Sequence, residues 1–210
     1  EKDIEVVPFY VSFDSETYQK EMVEVGVREF YQEMVDHPTV FPKTSMPSVH
    51  DYYEVFEKHA KEKMPVICIC ITRKFSGSLQ SATTAKDMIL EEYPDAQITV
   101  IDSTVNTVLQ GLYVLEACRL RDMGLEYQQI VDALLPIRET GRIFFTIGSI
   151  DYLKHGGRIG RLAGIAASAL KIKPVMGSTD EGAICQLDQA RGMNKALVKM
   201  AQNIVDKTKD

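Results

Sequence analysis

Val66-Ile67-Cys68-Ile69-Cys70-Ile71-Thr72-Arg73-Lys74-Phe75-Ser76-Gly77-Ser78 is the stretch on which the fold turns. Its first six residues form a short apolar run that reads as a buried strand, 66–71. A loop of charged and hydroxyl residues follows, and 78–92 then reads as a helix. Cys68 and Cys70 stand two residues apart, which puts both on one face of the strand. Strand, loop and helix in that order make an α/β unit.

The same alternation runs outward in both directions. Further strands are expected at 6–11, 98–101 and 143–147, and further helices at 27–36, 49–61, 108–123 and 126–139. Val27, Phe30, Tyr31, Met34 and Val35 mark one face of the first helix. That helix must stop at His37-Pro38, because a residue before proline is pushed out of the helical region. A second region begins near Gly148. Strands at 172–176 and 184–188 flank a turn from Gly177 to Gly182, and a last helix carries Met193, Ala196, Leu197, Met200, Ala201, Ile204 and Val205 on one stripe. The pattern predicts an α/β fold with a mostly parallel sheet.

Parallel sheets collect ligands at the carboxyl ends of their strands. The loop from Thr72 to Ser78 falls there, as does Asp102-Ser103-Thr104. A second hydroxyl-rich segment, Thr44-Ser45-Met46-Pro47-Ser48, also stands before a helix. Hydroxyls and free N–H groups at a helix N-terminus suit an anionic oxygen. Ser48 with Asp51 reads first as a helix cap, whereas Thr44 and Ser45 precede the cap and are free to face a ligand. In the other segment Gly77 lets a ligand approach the backbone, Ser76 is the ligand candidate and Ser78 reads as an N-cap. Ser76 is a poor nucleophile, since Ser-Gly-Ser is not G-x-S-x-G. No histidine is evidently its base: positions 37, 50, 59 and 155 all lie in polar sequence and are expected to face solvent.

The third motif is Tyr152-Leu153-Lys154-His155-Gly156-Gly157-Arg158-Ile159-Gly160-Arg161. It is neither a dinucleotide fingerprint nor a Walker A loop. Residues 151–175 hold five Lys/Arg and one Asp, a local charge of +4 that leaves −10 on the rest of the chain. Either this is a solvated hinge loop between domains, or it docks an acidic partner or a phosphorylated group. The run 162–170 after it is apolar and rich in small residues, a core helix or a lining with room for an alkyl chain.

With 210 residues, 45% of them apolar, the chain can bury the core of one large domain or two small ones. Its 30 acidic and 24 basic residues give a net charge of −6, and no Lys/Arg block supplies the positive footprint of a general nucleic-acid binder. No apolar run reaches the roughly 18–20 residues that span a bilayer, and the opening residues do not read as a signal peptide. The four cysteines show neither C-x-x-C nor Cys/His metal spacing, so reduced thiols in a cytoplasmic protein without a metal site are expected. The chain starts at Glu1 without methionine and stops at Asp210 just past a helix, so both ends read as cut.

Taken together, Lys43 to Ser48, Phe75-Ser76-Gly77-Ser78 with Gln80-Ser81-Ala82, Ile101-Asp102-Ser103, the stretch from Tyr152 to Gly160, Ile172-Lys173-Pro174-Val175 and Ala190-Arg191-Gly192 resemble the DegV family. The better-studied members of that family are fatty-acid-binding subunits of bacterial fatty acid kinase. The resemblance covers nearly the whole chain and implies the two-domain DegV-like (EDD) fold. An α/β/α domain with a parallel sheet would occupy 1–148, and a smaller two-layer α/β domain with a mixed sheet would begin in 149–210. It implies a long-chain fatty acid between the domains, its carboxylate held by Thr44, Ser45, Ser76 and the Gly77 backbone. The acid would be the bound ligand, with no cofactor. Arg158 and Arg191 would belong to the surface met by a separate ATP-dependent kinase subunit, which converts the acid to an acyl phosphate. The chain itself would be a carrier and not an enzyme, with transient membrane-surface contact allowed. The family's opening strand with its Asp-Ser loop and its closing His-Thr-Gly-Pro-Gly segment would lie outside these residues. Two other readings stand beside this one. The first is a small-molecule enzyme acting on a phosphorylated or carboxylated substrate through Ser76 and the Gly156–Gly160 loop; the second is an interaction module without a ligand.

Overall fold

The computed structural model describes residues 3–158 and 172–207. Three sheets organise it. The central one pairs β4 (Val66–Cys70) with β5 (Ile98–Asp102) in parallel, Val66 opposite Ile98 and Cys70 opposite Asp102. Because strand side chains alternate, its two faces carry different residues. Val66, Cys68, Cys70, Ile98 and Val100 face α2 (Val49–Lys61) and α3 (Ser78–Glu92), where Tyr52, Phe56, Ala60, Ala82, Ala85 and Ile89 complete the core. Ile67, Ile69 and Ile101 face α4 (Thr107–Asp122) and α5 (Tyr127–Ile137), meeting Tyr113, Leu120, Ile130 and Leu134. The fold class is therefore α/β, with helices on both faces of a parallel pair.

An antiparallel sheet precedes it, in the order β2 (Gln19–Lys20), β1 (Tyr10–Ser12), β3 (Lys43–Ser45). A third sheet, β6 (Phe144–Thr146), β7 (Ile172–Ser178), β8 (Ile184–Arg191), is also antiparallel. On one side of it Val175 and Ala190 pack on Ala196 and Met200 of α7 (Met193–Lys207). On the other side Met176 and Ile184 meet Phe75, Phe145, Ile147 and Leu153.

The helices at 27–36 (α1, Val27–Asp36), 49–61 and 78–92 have the expected limits, and those at 107–122 and 127–137 differ by one or two residues at their ends. Their boundaries have local causes. Ser48 Oγ accepts the Asp51 N–H at 3.1 Å while the Asp51 carboxylate accepts the Ser48 N–H at 2.8 Å, a reciprocal cap. At the end of α4, Gly124 takes φ +84, a left-handed turn that glycine enters without steric cost.

The strand expected at 6–11 is shifted, beginning only at Tyr10. Pro8 cannot donate to a ladder, and the Phe9 N–H is taken by the Glu21 side chain at 3.2 Å. β2 and β3, two and three residues long, carry no alternating apolar signal and were not expected. A short helix, α6 (Asp151–His155), stands where the glycine motif begins. The apolar run expected as a helix at 162–170 lies outside the described residues.

Candidate functional site

The segment after β4 is folded tightly by its own backbone. Thr72 O accepts the N–H groups of Phe75 at 2.9 Å and Ser76 at 3.2 Å, and the Thr72 N–H reaches Val105 O at 2.9 Å. Ser76 Oγ lies 2.7 Å from Ser78 Oγ and accepts the Ser78 N–H at 3.2 Å. This corrects one expectation: the N-cap of α3 is Gly77, and Ser78 is the first helical residue, its hydroxyl turned back on Ser76. Ser48, by contrast, caps α2 as its sequence suggested. Beneath the pair the Tyr52 hydroxyl lies beside Ser78 and Cys70, and burial pushes its pKa up. Cys68 Sγ sits 3.8 Å from Cys70 Sγ; that hydrogen bond and burial push the Cys68 thiol up as well. The same hydrogen bond from Cys68 acts in the opposite direction on Cys70, lowering its thiol pKa against the effect of burial.

Thr44 and Ser45 stand on β3, opposite Val11 and Tyr10 of β1. Both are exposed. Successive strand residues point to opposite faces, so their side chains diverge. Ser45 shares a face with its register partner Tyr10, and Thr44 shares one with Met46. Met46 reaches the other hydroxyl segment: a Cβ on Gly77 would lie 2.5 Å from Met46 Sδ. That contact brings the two segments together.

The third motif joins them from α6. Phe41, two residues before β3, stacks flat on His155 with ring centroids 3.8 Å apart and meets the edge of Tyr152 at 5.1 Å. Leu153, between those two, packs into the apolar cluster that contains Phe75. Met46–Gly77, Phe41–His155 and Leu153–Phe75 thus link the three sequence motifs into one neighbourhood. Arg158 closes back on α6, its N–H donating to Leu153 O at 3.0 Å and its guanidinium to Gly156 O. Gly160, the far end of the Gly156–Gly160 loop, lies outside the described residues, as does Arg161. Arg191 ends β8 opposite Ile172, and the described contacts do not bring it to the other motifs.

The Asp102 loop sits at the same sheet edge. The Asp102 carboxylate accepts the Thr104 N–H at 3.0 Å and pairs with Arg73 Nε at 3.4 Å. Ser103 is fully buried, donating to Val105 O at 3.1 Å. Thr72 Oγ1 donates across to Gly182 O at 3.0 Å, which docks the β7–β8 turn on the ends of β4 and β5. His50 is exposed, but His59 Nε2 lies 2.9 Å from Glu5 Oε2 and is only 20% exposed, contrary to the expectation that every histidine faces solvent. An open depression of about 470 Å³ lies elsewhere, between Phe13, Asp14, Thr17 and Gln19 on one side and Glu33, His37 and Val40 on the other.

Among the described residues no group of His, Cys, Asp and Glu is arranged to hold a metal ion, and no helix is long and apolar enough to cross a membrane. Phe41, Met46 and Tyr52 were missed from sequence. Their only signal there was apolar or aromatic character, which core residues share.

The chain is similar to known proteins over nearly all of its length. A family model described as DegV, uncharacterised protein, matches residues 1–210. A DegV domain-containing protein of Clostridium perfringens is 31% identical over 207 residues, covering 99% of this chain and 72% of that one. Among solved structures, a stearic-acid-binding protein of Eubacterium ventriosum is 44% identical with a TM-score of 0.89, covering 99% of this chain and 72% of that one. The fatty acid kinase B3 protein of Streptococcus pneumoniae, loaded with linoleic acid, is 26% identical with a TM-score of 0.79, over 96% of this chain and 69% of that one.

Proposed function

The chain belongs to the DegV family, and from that premise we propose that it binds a long-chain fatty acid and presents it to a separate kinase. The observation that carries this reading is the joining of a hydroxyl pair, Ser76–Ser78, to an apolar cluster through Phe75. Phe75 and Ser76 are adjacent in the chain, so the proposed place for a charged head adjoins the proposed place for an alkyl chain. The stearic-acid-binding protein, at 44% identity, adds support.

The division of labour follows from magnitudes. Burying a sixteen-carbon chain at about 0.8 kcal/mol per CH₂ yields roughly 12 kcal/mol of gross driving force, and ordering the ligand takes back a large share. The chain therefore supplies affinity, and the head-group site fixes which end faces outward. Thr44, Ser76 and the Gly77 N–H at the open N-terminus of α3 are the donors; Ser45, on the opposite face of β3, assists from the rim. Neutral donors solvate a carboxylate yet leave it able to attack a γ-phosphate, whereas a tight arginine pair would hold it back. An apolar surround slows hydrolysis of the acyl phosphate that results.

On this reading residues 1–148 form the unit that holds the carboxylate, and 149–210 begin the unit that covers the chain. Arg158 and Arg191 lie on the face offered to the ATP-dependent kinase subunit, and the protein works in the cytoplasm as a carrier. An enzyme using Ser76 is disfavoured, because its hydroxyl is paired with a second hydroxyl and not with a base.

Titration with palmitate tests the site. A hydrogen bond to a charged group is worth about 1.5–3 kcal/mol, so Thr44→Ala and Ser76→Ala are each expected to weaken binding about 10- to 100-fold. Unchanged affinity in both variants would remove these residues from the site.

A further inference from the structure

We propose that Asp51 is a positioning residue for head-group recognition: with Tyr10 and Lys20 it fixes the corner between β3 and α2 so that the site prefers a carboxylate to a neutral head group. This rests on the fatty-acid reading above and assigns a role to residues that contact no ligand in it.

The two oxygens of Asp51 do different things. Oδ2 serves the helix cap, accepting from Ser48 N at 2.8 Å and Ser48 Oγ at 2.6 Å. A cap needs nothing more, and Oδ1 of an ordinary capping acid would face water. Here Oδ1 accepts from the Tyr10 hydroxyl at 2.8 Å and meets Lys20 Nζ at 3.0 Å. Asp51 is only 8% exposed, so these bonds take the place of water.

The partners are placed by the sheet. Tyr10 is in register with Lys20 on one side and with Ser45 on the other, so Lys20, Tyr10 and Ser45 form one row across β2, β1 and β3. Asp51 therefore ties the start of α2 to the row that contains Ser45. The residues between are held at both ends: Pro47 is fully buried, and Met46 abuts Gly77. With the row fixed, the chain direction of Thr44-Ser45-Met46 against the Ser76 segment is fixed too. Lys20 also pairs the buried Asp51 charge, which keeps the carboxylate ionised in its place at the corner.

Comparing palmitate with hexadecanol separates positioning from general stability. The two share an alkyl chain, and only the acid needs donors aimed at two anionic oxygens. The wild-type chain is expected to prefer palmitate. Loss of one aimed donor to a charged group corresponds to about a tenfold drop, so Asp51→Asn should weaken palmitate about tenfold and leave hexadecanol within about twofold. Tyr10→Phe keeps the ring and removes one bond to Oδ1, and should shift the same ratio by a smaller factor, about threefold. Thermal melts run alongside identify folded variants, and Tyr10→Phe serves if Asp51→Asn does not fold. Equal weakening of both ligands, or an unchanged ratio in the folded variants, would overturn the positioning role while leaving the fatty-acid reading intact. A wild-type chain that binds no palmitate would overturn both.

Discussion

The two hydroxyl segments are held by opposite means. Ser76 and Ser78 lie 6% and 1% exposed, with Ser76 held by a backbone bond to Thr72, Ser78 beside the Tyr52 hydroxyl and the two hydroxyls on each other. Thr44 and Ser45 are exposed on a three-residue edge strand whose anchor is the charged group around Asp51. Packing holds the first, and electrostatics and a short ladder hold the second. Close packing is insensitive to pH and intolerant of added volume; a carboxylate network tolerates volume and responds to protons. One half of the candidate site thus rests on packing, and the other on charge.

The largest expected effect strikes the packed side. Gly182 has φ +81, and a Cβ there would lie 2.4 Å from Thr72 Oγ1 and 2.5 Å from Thr104 O. Gly182→Ala combines a left-handed backbone penalty of about 1–2 kcal/mol with overpacking of about 1–3 kcal/mol. A melting temperature lower by about 5–15 °C is expected, with the loss the same at pH 7 and pH 4. A melting temperature within a degree or two of wild type would mean that the β7–β8 turn does not bear on the ends of β4 and β5.

A smaller effect, with a different pH signature, is expected at the charged side. Burial opposes ionisation of Asp51, but hydrogen bonds from Ser48, Lys20 and Tyr10 outweigh it and hold the carboxyl well below the usual carboxylate range. Its folded pKa is thus below the unfolded value of about 3.9. The stabilisation is fully present above that value and is lost as pH falls toward the folded pKa. Asp51→Asn should therefore cost on the order of 1–2 kcal/mol at pH 7, and denaturant titrations should find the gap from wild type narrowing only below about pH 4. A gap that stays constant down to pH 3 would mean that Asp51 contributes through its shape and not its charge.

The sequence was most legible where local rules act. Helix limits at α1, α2 and α3 follow from an apolar stripe, a proline stop and a Ser-Asp cap. The parallel pair β4–β5 was readable because runs such as Val66 to Cys70 are buried on both faces. The edge strands were not, since two or three residues hold no period. The site was readable as residue types and unreadable as a neighbourhood. Met46–Gly77 and Phe41–His155 join residues 31 and 114 positions apart, and only tertiary folding makes those pairs. Ser78 looked like a cap because serine commonly is one; a competing hydroxyl two residues earlier captured it.

The most direct measurement is mass spectrometry of an organic extract of the purified chain, beside that of its Thr44→Ala/Ser76→Ala double variant. A long-chain fatty acid extracted from the wild-type chain and strongly depleted from the variant is the result the account predicts. An extract free of fatty acid, from a chain that also fails to take up added palmitate, would contradict it.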